Sequence, residues 1–318
     1  MESLIRSIRA YTIEIILMLT LAASIGFFGY LGYGLVQPTP DTITFSGEEA
    51  LAHVKTQLDF GPRITGTEAH KSMGDWIIRS LSEGGWEVFI QPFEPLETVE
   101  ARNILAVSGS GPAVIIGAHY DSRIFADADP DPARRGEPVP GANDGASGVA
   151  VLMELARSLD VTASGKTICL VFFDAEDNGR IPGWDWILGS RFFVSRLDAL
   201  PKCSDPEFAV IVDMIGDADQ QVYREKNSTE FLVNAIWETA SELGYGEWII
   251  DEPRFAMTDD HTPFLEANIP AVDMIDFDYP YWHTVEDTLD KVSAESLARI
   301  GRTLEVWLER GAPYTRGN

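Results

Sequence analysis

The stretch Ile168-Cys-Leu-Val-Phe-Phe173 is apolar without interruption, and it ends in three acids, Asp174, Glu176 and Asp177. An apolar run without alternation predicts a strand with both faces covered, inside a largely parallel sheet. Carboxylates delivered to the end of such a strand are expensive to bury. Without partners each costs several kcal/mol or more, so proton sharing, cations or metal ions are expected beside them. Open α/β sheets place their sites just beyond the carboxyl ends of the strands. This one segment therefore predicts both an architecture and the place to look for chemistry.

The rest of the chain supplies the matching layers. Ser46-Gly-Glu-Glu49 fits a capping box, and Leu51, Val54 and Leu58 follow at helical spacing. A second helix is expected from Thr67 to Glu83, ended by Gly84-Gly85. Strands are expected over 86–91, 103–107, 113–117, 167–173, 207–212 and 271–275. Helices are expected from Asp144, over 231–243 and over 294–308. Asp127 to Pro140, rich in Asp, Pro and Arg, predicts a surface loop. Alternating strands and helices imply an α/β fold with a mostly parallel sheet covered on both faces. No linker interrupts residues 46–318, which are expected to form a single domain.

The N-terminus is different. No charged residue occurs from Ile15 to Val36, while Arg6 and Arg9 precede that run. About 20 apolar residues suffice to cross a bilayer. The expectation is an uncleaved membrane anchor over 1–36, its helix spanning about 12–36. It would be single-pass, with a cytoplasmic N-terminus and an extracytoplasmic main domain; a cleaved signal peptide is the rival. Gln37-Pro-Thr-Pro-Asp41 falls in a short linker over 37–45. The net charge of −26 excludes the basic face expected of a nucleic-acid partner. Of the two cysteines, Cys169 lies in the apolar strand and Cys203 in a polar loop. Nothing in the sequence pairs them, so the fold is expected to rest on its core rather than on a disulfide.

Five segments repeat one pattern, an apolar run followed by a ligand-type residue. They supply His119 (with Asp121 two residues on), Asp144, Asp177 (beside Glu176), Asp213 and His283. Alone, each has an ordinary explanation: Asp144 as a helix cap, Asp213 as a strand end, His119 as a core histidine. Together, two histidines and three carboxylates suit one or two zinc ions, and a carboxylate can bridge a metal pair. Asp121, on the same side of an extended segment as His119, could orient that ring. Glu176, next to a ligand, could serve as general base or acid. His53 and His70 fall on helix faces and are expected at the surface.

The ordered set Gly117-Ala-His-Tyr-Asp-Ser122, Gly141-Ala-Asn-Asp-Gly145, Phe172-Phe-Asp-Ala-Glu-Asp177, Asp213-Met-Ile-Gly216, Asp259-Asp-His261 and Trp282-His-Thr284 resembles the co-catalytic zinc aminopeptidase superfamily. Within it, the chain is most similar to animal-type glutaminyl-peptide cyclotransferases, over about residues 46–315. The resemblance implies a three-layer α/β/α sandwich around a mixed sheet. For a cyclase it implies one zinc on Asp144, Asp177 and His283, with Glu176 as acid/base and Asp213 and Asp259 behind it. For an aminopeptidase it implies a second zinc on His119 and Asp213, with Asp144 bridging. Asp259-Asp-His261, Trp282 and the Gly189-Ser-Arg191 segment favour the cyclase. Trp282, Tyr279 and His261 are expected at the substrate pocket. Asp177 stands where both groups have glutamate, and the tryptophans of 178–188 do not align. The substrates implied are peptide or protein N-termini; a non-catalytic binding ectodomain is the third reading.

Overall fold

The structure, a computed structural model, describes residues 18–21, 24 and 43–315. The chain divides into two compact units, Met1–Thr42 and Ile43–Asn318. Of the first unit, residues 18–21 and 24 are helical, and Met18, Leu19 and Leu21 are exposed. The rest of the expected anchor lies outside the described residues. Among the described residues, no helix is long and apolar enough to cross a membrane.

The second unit begins with helices α1 (Gly47–Asp59) and α2 (Glu68–Glu83). The Ser46 side chain caps α1, accepting from the Glu49 amide at 3.3 Å. Strands β1 (Glu87–Leu96) and β2 (Val99–Gly109) form an antiparallel hairpin. After them come β3 (Ala113–His119), α3 (Ala146–Ser158), α4 (Val161–Ser164), β4 (Thr167–Phe173), α5 (Leu188–Ser195) and β5 (Pro206–Asp213). The chain closes with β6 (Val222–Arg224), α6 (Glu230–Glu242), β7 (Ile249–Pro253), α7 (Thr262–Glu266), β8 (Ala271–Ile275) and α8 (Ala294–Glu309). The main sheet has the order β1-β2-β4-β3-β5-β8, and β6 pairs with β7 apart from it. Strands β4, β3, β5 and β8 run parallel, while β1 and β2 join antiparallel. The sheet is therefore mixed and mostly parallel.

The unbroken apolar strands explain the layering. In β4, Ile168, Leu170 and Phe172 enter the larger core, packed with residues of α1, α2, α3, α6 and α8. Cys169, Val171 and Phe173 enter a second core on the opposite face, closed by Phe193 of α5 and Phe264 of α7. Successive side chains point to opposite faces, so a strand covered on both sides cannot alternate. The hairpin arm extends further than its sequence pattern suggests, to Leu96 and from Val99. Pro92 and Pro95 are tolerated in β1 because it lies at the sheet edge. The short elements α4, α5, α7, β6 and β7 carry too few residues for a periodic signal.

One expectation about what holds the fold together is overturned. Cys169 and Cys203 form a disulfide, with Cα atoms 6.4 Å apart, and both are fully buried in the second core. Chain folding brings the loop before β5 back across β4, a contact with no local signature. The bridge closes a sequence separation of 34; by loop-closure entropy that is worth about 3–4 kcal/mol. Cys203→Ser should lower the stability of the unreduced protein by that order. Thermal unfolding with and without reductant measures it, and an unchanged midpoint would deny the bridge a structural role.

Candidate active site and metal centre

The register places the carboxyl ends of the parallel strands side by side: His119 opposite Phe173, and Asp213 opposite Ile275. The turns that follow decide where each carboxylate goes. After Phe173 the chain takes a left-handed step at Ala175, φ 55°. Met214 after Asp213 (φ 46°) and His283 itself (φ 55°) are left-handed too. A non-glycine residue in this region carries a cost of order 1 kcal/mol or more and persists only where its surroundings impose it. His283 is itself a candidate ligand, Met214 follows one directly, and Ala175 lies two residues before Asp177.

The three acids after β4 have separate fates. Asp174 turns inward and is saturated. One oxygen accepts from His70 Nε2 at 2.8 Å and Thr65 Oγ1 at 3.0 Å; the other accepts from the Arg102 amide and the Tyr120 hydroxyl, each at 2.8 Å. His70, expected at the surface, is 3% exposed and stacks on Tyr120. A helical face predicted by spacing alone could not show that α2 packs against this carboxylate. Half-buried His53 instead packs at a tilt against Trp76. Glu176 and Asp177 point elsewhere, while their amides donate to the Asp121 carboxylate at 3.0 and 3.3 Å. Asp121 is thus the anchor of this turn. It also lies 3.6 Å from His119 Nδ1, beyond hydrogen-bond length.

Arg123 is a residue whose role the sequence did not reveal. Its buried guanidinium donates to the Asp177 carbonyl at 2.8 Å and the Gly179 carbonyl at 3.1 Å, and it forks onto Asp127. Asp127 Oδ1 in turn lies 3.5 Å from His283 Nδ1. Asp287 was also missed. It accepts from the Asn143 and Asp144 amides at 2.8 and 3.1 Å, and from the Tyr279 hydroxyl at 2.6 Å. Gly145, φ 89°, completes that turn, since a Cβ there would lie 2.6 Å from the Asp121 carbonyl and 3.1 Å from the His119 ring. Asp144 is not a helix cap: Gly145 occupies that position, and no side chain caps α3.

These turns assemble two buried groups that share Asp144: His119, Asp144 and Asp213, and Asp144, Asp177 and His283. Within each group one donor atom per residue lies within 4.8 Å of the others. His119 Nε2 is 3.2 Å from Asp144 Oδ1 and 3.1 Å from Asp213 Oδ1. His283 Nε2 is 2.8 Å from Asp177 Oδ1 and 3.7 Å from Asp144 Oδ2. The two oxygens of Asp144 thus face different histidines. Although one methylene shorter than glutamate, Asp177 reaches its partner. Asp144 Oδ2, Asp177 Oδ2 and His119 Nδ1 are buried without hydrogen bonds. Orphaned carboxylate oxygens amid imidazole nitrogens form the donor set that zinc takes. These residues fit zinc, in one or two positions.

The electrostatics express the same crowding. Burial, with Asp144 next to it, pushes Asp177 up to about 6. Burial pushes Asp213 up to about 7, against the pull of His119. Glu176 is held well above the carboxylate range, first by burial and then by Asp177 and Asp259, with His119 opposing. Burial opposes charge on His283, yet Asp177, Asp127 and Asp144 together outweigh it and hold the imidazole up at about 9.

Asp144, Glu176, Asp177, Asp213, Asp259 and Trp282 line a common cavity of about 340 Å³. Trp282 stacks on His283 with ring centroids 3.6 Å apart. Trp186 also lines the cavity, stacking on His283 at 5.9 Å, and Arg123 lies over its ring; Trp184 is not among the lining residues. Two residues expected at the pocket sit elsewhere. Tyr279 is 3% exposed and turned to Asp287, and His261 is wholly buried. Adjacency in sequence to a lining residue did not carry them to the wall.

The family model for peptidase family M28 matches residues 103–308, more than half of the chain. The chain belongs to peptidase family M28. A Zn-dependent exopeptidase from Parabacteroides distasonis superposes with a TM-score of 0.78 at 33% identity, over 85% of this chain and 99% of that one. Porphyromonas gingivalis glutaminyl cyclase gives a TM-score of 0.77 at 33% identity, over 84% and 99%. A glutaminyl-peptide cyclotransferase-like protein of Mus musculus is 27% identical over 73% of this chain, which spans 66% of that relative's length. With the ligand groups above, these likenesses identify this M28 member as a zinc-dependent enzyme.

The raised groups set a stability test. In the metal-free protein, Asp177, Asp213, Asp287 and His283 lie at about 6, 7, 7 and 9, each above its ordinary value. The folded form therefore holds protons that the unfolded chain releases, and this stabilisation is lost as pH rises through that range. Asp121 and Asp144 are lowered, so their contribution stays in place above about pH 4. The chelated protein should lose melting temperature between pH 5 and 9, and zinc should restore most at the alkaline end, where fewer protons compete. A pH-independent midpoint without metal would contradict this.

Proposed function

We propose that this protein is a glutaminyl-peptide cyclotransferase, closing N-terminal glutamine to pyroglutamate with release of ammonia. The observation that carries the reading is the wall beside His283. Two indoles stack on a candidate ligand, giving a small apolar chamber opposite a row of carboxylates, a form suited to a short amide side chain next to a free amine. The similarity to the Porphyromonas gingivalis cyclase supports it.

Asp144, Asp177 and His283 would hold zinc, whose chemistry is to polarise the γ-amide carbonyl. Glu176, its proton affinity raised well above that of an ordinary carboxylate by burial, takes a proton from the α-amine. The amine nitrogen then bonds to the carbonyl carbon of that side-chain amide. The same carboxyl returns the proton to the amide nitrogen as that C–N bond breaks, and ammonia leaves. Asp213 and Asp259 line the same cavity; the charge of Asp259, with that of Asp177, strengthens the hold of Glu176 on the proton it accepts.

The second reading is a two-zinc aminopeptidase. The intact group His119, Asp144 and Asp213 favours it, as does the likeness to a Zn-dependent exopeptidase. There Glu176 would activate water instead of the substrate's amine. Assay with glutaminyl and leucyl peptides separates the two. Pyroglutamate and ammonia from the first, with no leucine from the second, is the expected result; free leucine without pyroglutamate would refute the cyclase. Glu176→Gln should lower kcat by at least about a hundredfold with zinc content unchanged, and full activity would remove Glu176 from the mechanism.

The apolar run before residue 37 supports membrane anchoring with an extracytoplasmic catalytic unit. The buried disulfide fits that placement, because such bridges persist in oxidising compartments. Protease added outside sealed, right-side-out membrane preparations should digest or release the catalytic unit. Complete protection until the membrane is lysed would place the unit on the cytoplasmic side.

A further inference from the structure

A third set of ligand-type side chains lies behind the catalytic cavity. Asp259-Asp-His261 forms the turn into α7, Asp273 interrupts the otherwise apolar β8, and Glu225 follows β6. Asp260, His261 and Asp273 have no exposure, and Asp259 and Glu225 have almost none. Among the described residues, one donor atom from each of Asp259, His261 and Asp273 lies within 4.8 Å of the others.

Glu225 is fully engaged. It accepts from the Met257, Asn227 and Ser228 amides at 2.8, 2.9 and 2.7 Å, and from Ser228 Oγ at 2.9 Å. The other members are not satisfied. Both ring nitrogens of His261, both oxygens of Asp273 and both oxygens of Asp260 are buried without a hydrogen bond. His261 Nε2 faces Glu225 Oε2 at 3.4 Å, and Nδ1 faces Asp273 Oδ2 at 3.7 Å. Asp259 Oδ1 accepts the Asp260 amide.

An unsatisfied buried polar atom costs about 1–3 kcal/mol, and native interiors keep few of them. Four of these atoms belong to His261 and Asp273, which face each other, and they demand a partner. Burial and neighbouring carboxylates hold Asp260 and Asp273 well above the carboxylate range. Protonation would relieve the charge, but Asp273 Oδ2 and His261 Nδ1, 3.7 Å apart, are too distant to share a proton in a hydrogen bond. A cation relieves the charge and uses the lone pairs. With Nε2–H directed at Glu225, the Nδ1 lone pair is left facing Asp273, the arrangement in which a carboxylate behind a histidine sets its ligating nitrogen. One imidazole and two carboxylates suit zinc. Calcium takes six to eight oxygens, and magnesium prefers an all-oxygen octahedron with several waters.

We propose that Asp259, His261 and Asp273 bind a structural divalent cation of the zinc class, in a site distinct from the two groups sharing Asp144. It ties β8 to the turn before α7 and fixes Asp259, whose other face lines the catalytic cavity. The assignment does not depend on which reaction that cavity performs.

The test uses the full-length chain, stripped with chelator, dialysed against zinc and counted by plasma mass spectrometry. His261→Ala and Asp273→Asn should each hold one zinc fewer per chain than the parent. Asp177→Ala combined with His261→Ala should lose more than either alone. Zinc-edge anomalous diffraction from parent crystals should show a peak about 2.0–2.1 Å from His261 Nδ1, and this decides the matter even if the variants do not fold. Equal zinc counts in parent and folded variants, or anomalous peaks confined to the Asp144 groups, would overturn the site.

Discussion

The structure depends on the cost of burying carboxylates where the parallel strands end. Asp144, Asp177 and Asp213 meet, almost wholly buried, at the wall of the catalytic cavity, with Glu176 beside them. Charges in such a place are tolerated only with opposite charge, shared protons or a metal. His119 and His283 supply part of the compensation. The residual imbalance appears as carboxyls and imidazoles displaced from their ordinary ranges, and as oxygens with no partner. That imbalance makes the centre suited to zinc and to proton transfer near neutral pH.

A second layer of charge keeps the first in place. Asp121 is committed to the amides of Glu176 and Asp177, Asp287 to those of Asn143 and Asp144, and Asp174 to four donors around β2 and α2. Arg123 closes the circle from the Asp177 carbonyl to Asp127, which faces His283. Each of these side chains has its hydrogen-bonding capacity taken up in positioning. Left-handed residues at Ala175, Met214 and His283 are held against their backbone preference by this network, and the chemistry inherits its geometry from them.

Much of this was legible along the chain. The uniform apolarity of β3, β4 and β5 announced strands covered on both faces, and the residue types at their ends announced a ligand set. Longer helices declared themselves through caps and spacing, as at Ser46 and Thr67. The parts that were not legible share a cause: they depend on contacts between segments far apart in sequence. His70 meets Asp174, Cys203 meets Cys169, and Tyr279 turns to Asp287 rather than to the cavity. No local pattern distinguishes a buried polar helix residue from a solvated one until the partner across the interface is known.

By itself, the sequence determined the alternation of elements, the burial of the sheet and the identity of the acids and imidazoles at its carboxyl edge. These follow from side-chain hydrophobicity and backbone period, which are local properties. Only the tertiary structure decided the grouping: which oxygen of Asp144 faces which histidine, that Asp121 serves the turn after β4, and that Asp259 and Asp273 meet around His261. Grouping is a matter of distance, and distances between strand ends are set by sheet register and crossover packing, which no single segment encodes.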